Sequence, residues 1–365
     1  MPAVPLFDAA RVQAPHLPAI RAAIDGVLAS GRLILGPQVA QFETDFAVYC
    51  GVAHAVGVAN GSDALELALR AVGVGAGDRV VAVANAGGYA TVAIRACAAL
   101  PLYAEIDPET LLVDVDALAP WLAQAPRALI LTHLYGRLAA VEAIAAACAA
   151  RGIALIEDCA QAHGAQRGGR RAGSFGAIGC FSFYPTKNLG ALGDGGALTT
   201  SDAALAARLR ALRQYGWESK YQVTVAHGRN SRLDEIQAAI LAAKLPRLDE
   251  ENARRRAIAQ AYDAGLQGTP ARPLAGRGGA DDVVHLYLVR HARRDALRAH
   301  LTQAGIGCDV HYPVADHLQP AWHLANAPAL PVTEHAVGEI LTLPCHPAMT
   351  DEEVQHVIDA VRAFG

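Results

Sequence analysis

The chain has 365 residues, 53% of them apolar and 18% charged, with a formal net charge of −4 at neutral pH. That length exceeds one ordinary core and implies a large domain with a smaller one. The interspersed charges exclude a disordered chain and a nucleic-acid binder, which needs a basic stripe. No run reaches the roughly 18 uninterrupted apolar residues of a membrane helix, and the N-terminus lacks the basic start and apolar core of a signal peptide, so a cytoplasmic protein is expected.

The seven cysteines are widely spaced, with no C-x-x-C pair, and read as buried reduced thiols rather than a metal site or a disulfide framework. Residues 62–72 place Leu65, Leu69 and Val72 on one helical face, closed by Gly73, Gly75 and Gly77. Strand patterns cover 79–83, 128–132 and 153–156, the last ending at Glu157 and Asp158. Helical patterns fill 92–99 and 141–150 between them. This alternation implies a mostly parallel sheet covered on both faces. Residues 179–184 and 196–200 are strand-like around a glycine-rich loop, and a helix is expected over 234–245. The rise in charge around 249–256 sets an expected boundary, giving a large domain 1–250 and an α+β unit 251–365. Strands at 284–289 and 309–312 and helices at 294–304 and 351–364 are expected within that unit.

Ligands of open α/β sheets sit at the carboxyl ends of the strands, so the polar residues there carry the chemistry. Asn60, Gly61 and Ser62 open a helix, where free N–H groups and the dipole favour phosphate, although an ordinary Ser cap explains them equally. Asp158 is a base, a metal ligand, a partner for a ring nitrogen or a helix cap. Lys187, between a strand and a glycine-rich loop, is placed to form a Schiff base. A phosphate cradle, a carboxylate and an amine together are what pyridoxal phosphate requires.

The sequence resembles the DegT/DnrJ/EryC1/StrS aminotransferases almost end to end. The likeness rests on 31–37 (GRLILGP), 61–69, Gly77-Asp78, 105–110 (EIDPET), 133–136 (HLYG), 157–165 (EDCAQAHGA), 181–196, 228–245, and His311-Tyr312-Pro313 with 317–320 (HLQP). It implies the α/β fold of type I pyridoxal-phosphate aminotransferases: a large domain with a mixed, mostly parallel sheet and a small C-terminal α+β domain.

By that resemblance, Lys187 is the Schiff-base lysine and proton shuttle, Asp158 the pyridinium partner, and Gln161 a neighbour of the phenolic oxygen. Gly61, Ser62 and Ser182 hold the phosphate, and Asn230 reaches the phosphate of a neighbouring subunit, which implies a homodimer. His163, His311 and Tyr312 map near the substrate sugar.

The sequence departs from the family pattern in two places. The family's ring-stacking aromatic falls on Gly87; Tyr89, two residues on, stacks instead, or that face is open to substrate. Near Asn230, Arg229 is either a contact to substrate phosphates or a surface charge. The implied activity is transfer of an amino group, from glutamate, to a keto-deoxyhexose linked to a nucleotide. A keto-inositol acceptor is the alternative, and a non-catalytic regulator a third reading. Lys187 separates the chain from related dehydratases, which carry histidine there. No metal, nucleic acid or membrane partner is expected.

Overall fold

The computed structural model describes residues 3–276, 278–322 and 328–364. Seven strands form the main sheet: β1 (His54–Val58), β2 (Arg79–Val83), β3 (Leu100–Ala104), β4 (Ala128–Thr132), β5 (Ala154–Asp158), β6 (Ile178–Ser182) and β7 (Gly196–Thr200). Their order is β1-β7-β6-β5-β4-β2-β3, and only β7 runs against its neighbours. Helices Gly61–Ala71, Tyr89–Ala96, Val115–Leu122 and Val141–Ala149 connect the strands β1 to β5, as parallel pairing requires.

Successive side chains of a strand face opposite ways, and here both faces are covered. In β2 and β4, Val80, Ala82, Ala128 and Ile130 join one core, while Val81, Val83, Leu129 and Leu131 join another. This is why these strands read as unbroken apolar runs rather than alternating ones. In helix Gly61–Ala71, Leu65 and Leu69 are buried as expected, while Val72 becomes its C-cap.

The last unit has a three-stranded antiparallel sheet: β8 (Arg272–Pro273), β9 (Tyr287–Arg290) and β10 (Ile340–Leu343). Helices Arg294–Gln303 and Asp351–Phe364 contribute to its core through Leu297, Leu301, Val357 and Val361. An 18-residue helix, Leu248–Gly265, runs through the boundary expected at residue 250. The first residues side with the C-terminal unit: Val4 pairs with Ile306, and Arg11 bridges to Glu353.

Two strand expectations are corrected. The 284–289 strand begins only at Tyr287, because Val284 turns with a positive φ of 45° and packs with His285 against Gly136. The 309–312 strand shrinks to one bridge between Asp309 and Thr342, after which the chain leaves the sheet.

Glu235 explains the Gly31–Pro37 motif. Its fully buried carboxylate accepts the N–H groups of Gly36, Gln38 and Val39 at 2.8, 2.9 and 2.8 Å. Those donors lie at the start of helix Pro37–Cys50, whose Gly36 N-cap has no side chain to receive them.

Candidate active site

A cavity of about 660 Å³ opens at the carboxyl ends of the main-sheet strands. Strands and the turns after them position its walls: Asp158 is the last residue of β5, Ser182 the last of β6, and Gly61 follows β1. Tyr89 lines it from helix Tyr89–Ala96, and His311 and Tyr312 reach it from the C-terminal unit.

The start of helix Gly61–Ala71 is free for an anion. Asn60, not Ser62, is the N-cap, its side chain accepting the Asp63 N–H at 2.8 Å. A Cβ on Gly61 would fall 2.6 Å from Ser182 Cβ, so only glycine lets the helix start and the end of β6 approach this closely. Ser182 Oγ accepts the Tyr184 N–H at 3.3 Å, which leaves its proton for another acceptor.

Asp158 is buried, accepts the Ala160 N–H at 3.1 Å and lies 3.5 Å from the Thr132 hydroxyl. Among the described residues no cation comes within ion-pair distance of it, and burial raises its pKa. The Ala160 N–H bond and the fields of Lys187, on the turn after β6, and of His133 oppose that rise. Burial in turn pushes the Lys187 amine down to about 8, against the pull of Asp158. A buried carboxylate short of a cationic partner fits a protonated pyridine nitrogen, and a depressed amine fits an aldehyde. The glycine-lined helix start fits a phosphate. The donor set therefore suits pyridoxal phosphate.

Gln161 also lines the cavity, with its amide fixed at both ends. Its Oε1 accepts the Tyr135 N–H at 2.6 Å and its Nε2 donates to the Tyr312 hydroxyl at 3.0 Å. The Tyr135 hydroxyl in turn donates to the His311 carbonyl at 3.0 Å.

Three expected residues lie elsewhere. His163 is corrected: its ring is fully buried against Phe181 and Phe183, outside the cavity wall, and burial lowers its pKa to about 3. Arg229 pairs with Asp63 at 3.2 Å and with Glu66 on the neighbouring helix, and does not line this cavity. Asn230 is exposed, bridged to Gln214, and does not line this cavity.

His285 was not singled out from the sequence, yet it lines the cavity. Its tautomer follows from a chain of buried amides. Asn252 Nδ2 donates to the His163 carbonyl, so Asn252 Oδ1 accepts from Asn188 Nδ2, which also donates to the Val283 carbonyl. Both Asn188 protons are thus used, and its Oδ1 must accept from His285 Nδ1 at 3.1 Å. The proton is on Nδ1, and burial together with Lys187 and Arg255 holds the ring neutral.

His133, Glu157 and Cys159 bring donor atoms within 4.8 Å of one another. Glu157 is already engaged by His133 Nε2 and by the N–H groups of Gly173, Phe175 and Gly176. Burial would raise its pKa, but those donors outweigh it and the carboxyl stays ionised. The cluster reads as a satisfied structural network.

Residues 18–362 match the DegT/DnrJ/EryC1/StrS aminotransferase family. The chain is 45% identical over 347 residues, 93% of each chain, to a dTDP-3-amino-3,4,6-trideoxy-alpha-D-glucose transaminase of Micromonospora megalomicea subsp. nigra. It is 41% identical over 362 residues, 99% of each chain, to a dTDP-3-amino-3,6-dideoxy-alpha-D-galactopyranose transaminase of Aneurinibacillus thermoaerophilus. Among solved structures it resembles DesV of S. venezuelae in complex with a ketimine intermediate, with a TM-score of 0.96 and 42% identity over 100% of this chain and 99% of that one. The chain belongs to the DegT/DnrJ/EryC1/StrS aminotransferase family and is a pyridoxal-phosphate-dependent transaminase.

Proposed function

We propose that the enzyme moves the amino group of glutamate to the C3 ketone of a dTDP-linked deoxyhexose. The observation that carries the site reading is the buried Asp158, short of a cation, facing the depressed amine of Lys187. Pyridoxal phosphate, when bound, supplies an aldehyde for the amine and an electron sink for the bond-breaking steps. Lys187 holds it and moves the proton, since an amine with a pKa near 8 is partly neutral at physiological pH. Asp158 keeps the ring nitrogen protonated. The N–H groups of Gly61 and Ser62 and the Ser182 hydroxyl would hold the phosphate, and Gln161 would lie beside the ring. His311 and Tyr312 border the space left for the sugar.

The C3 assignment draws on the two relatives, both named for 3-amino sugars. Those names give no support to a keto-inositol acceptor.

We further propose a homodimer in which Asn230 completes the neighbouring site. Lys187 is the only lysine or arginine among the described residues lining the cavity, beside Asp63, Asp158 and Asp194. A phosphate and a nucleotide need more positive or donor groups than that, and a second copy can bring them. Tyr221, 77% exposed, and Val223, 61% exposed, offer apolar surface near Asn230 for such a contact. The widely spaced cysteines, with no C-x-x-C pair, suit a reducing compartment, so the cytoplasm is proposed as its place.

Steady-state assays with glutamate and a panel of 3-keto and 4-keto dTDP- and UDP-sugars, with a keto-inositol beside them, test the substrate. The highest kcat/KM is expected with a 3-keto dTDP-sugar; preference for a 4-keto sugar or a keto-inositol refutes the assignment.

A further inference from the structure

Part of the cavity wall comes from the C-terminal unit, through His311 and Tyr312. Gly87 has a φ of +80°, and a Cβ there would lie 2.9 Å from both Cδ1 and Cε1 of Tyr312 and 3.0 Å from its Cγ. The Tyr312 ring therefore occupies the volume that any side chain at position 87 would enter. It is fixed on three sides: Gln161 Nε2 donates to its hydroxyl at 3.0 Å, Tyr89 meets it edge-on at 6.0 Å, and Gly87 lies beneath it.

The segment carrying Tyr312 is stapled to the turn carrying Gly87. Asp316 N donates to the Ala84 carbonyl at 2.7 Å, and Asp316 Oδ1 accepts the Gly88 N–H at 2.7 Å. Asp316 Oδ2 accepts the Thr91 hydroxyl at 2.7 Å. Three bonds across more than two hundred residues of sequence hold the two segments in register. Tyr89, by contrast, is 49% exposed and receives no comparable bracing.

We propose that Tyr312 is the aromatic wall against the cofactor ring, and that Gly87 is the space it requires. The proposal rests on pyridoxal phosphate lying between Asp158 and Lys187. An aromatic face at this wall stacks on the pyridine ring, while the bond from Gln161 fixes its tilt. The C-terminal unit thus contributes to cofactor binding as well as to the substrate entrance.

The test is titration of the apoprotein with pyridoxal phosphate, followed by equilibrium dialysis and by circular dichroism in the cofactor's visible band. Tyr312→Phe keeps the ring but loses the Gln161 bond, so it should keep the affinity and change the dichroism less than Tyr312→Ala does. Tyr312→Ala should weaken affinity roughly two- to tenfold and change the dichroism, with urea denaturation used to confirm that the variant apoprotein is folded under the titration conditions. Gly87→Ala should weaken affinity in the wild-type background and less so beside Tyr312→Ala, because the two changes act through one contact. Unchanged affinity and dichroism in Tyr312→Ala, or a loss seen only in Tyr89→Ala, overturns the assignment. Wild-type apoprotein that takes up no pyridoxal phosphate refutes the site itself, a failure distinct from that of the wall.

Discussion

Alanine at position 61 places a methyl group where the helix start and the end of β6 leave no room. Its Cβ would lie 2.6 Å from Ser182 Cβ and 3.1 Å from Ser182 Cα. The shorter contact is about 1 Å inside the separation at which carbon atoms attract. Neither neighbour yields easily, since Ser182 pairs with Gly196 in the sheet and Asn60 caps the helix. The helix start must withdraw by about 1 Å, and a hydrogen bond of ordinary length stretched that far is lost.

Each N–H bond to a charged phosphate contributes about 1.5–3 kcal/mol. Gly61→Ala should therefore bind pyridoxal phosphate roughly ten- to a hundredfold more weakly. The apoprotein should lose about 1–3 kcal/mol of stability from overpacking. Fluorescence titration of the apoprotein measures the first, and urea denaturation the second. Gly75→Ala is the control, because a Cβ there meets nothing within 4 Å. Equal affinity in Gly61→Ala and wild type would refute the reading of this helix start as the phosphate cradle.

Glu235→Ala strands the three N–H groups of Gly36, Gln38 and Val39 and should cost about 2–5 kcal/mol, read as a drop in urea midpoint. Asp316 is held up to about 6 by burial, against the bonds from Thr91 and Gly88. Its folded pKa lies above the unfolded value of about 3.9, so the unfolded chain releases this proton first. The residue thus lowers stability progressively as pH rises from about 4 to about 6, by up to about 3 kcal/mol. Urea midpoints of Asp316→Asn should gain on wild type across that window; a gap that does not change with pH contradicts the sign. Mixing Lys187→Ala with Asn230→Ala protein should restore roughly a quarter of wild-type activity, since half the dimers then hold one intact site. No recovery after verified subunit exchange argues against the shared site.

The legible parts of the fold are those with local causes. The strand bounds at Arg79–Val83, Ala128–Thr132 and Gly196–Thr200 coincide with the sequence pattern because a strand buried on both faces leaves an unbroken apolar run. Lys187, Asp158 and Gly61 could be named because they lie at or just after strand ends, and Ser182 through the family resemblance; the structure brings all four to one cavity. What stayed hidden depends on partners far along the chain. Glu235 looks like a solvated helix residue until residues 36–39 fold over it. Asp316 is one acidic residue in a loop until it meets Gly88 and Thr91. His285 reads as part of a strand because nothing local announces the turn at Val284. His163 misled for the opposite reason: it sits within the EDCAQAHGA motif, but its side chain points into the Phe181–Phe183 core.

The central claim is that Lys187 carries the cofactor. Reducing the holoenzyme with borohydride, digesting it and sequencing the peptides by mass spectrometry tests this directly. A pyridoxyl phosphate mass on Lys187, and none in Lys187→Ala protein, is the expected result. The same mass on another lysine, or an unlabelled Lys187 in protein reconstituted with pyridoxal phosphate and free of amino donor, would contradict it.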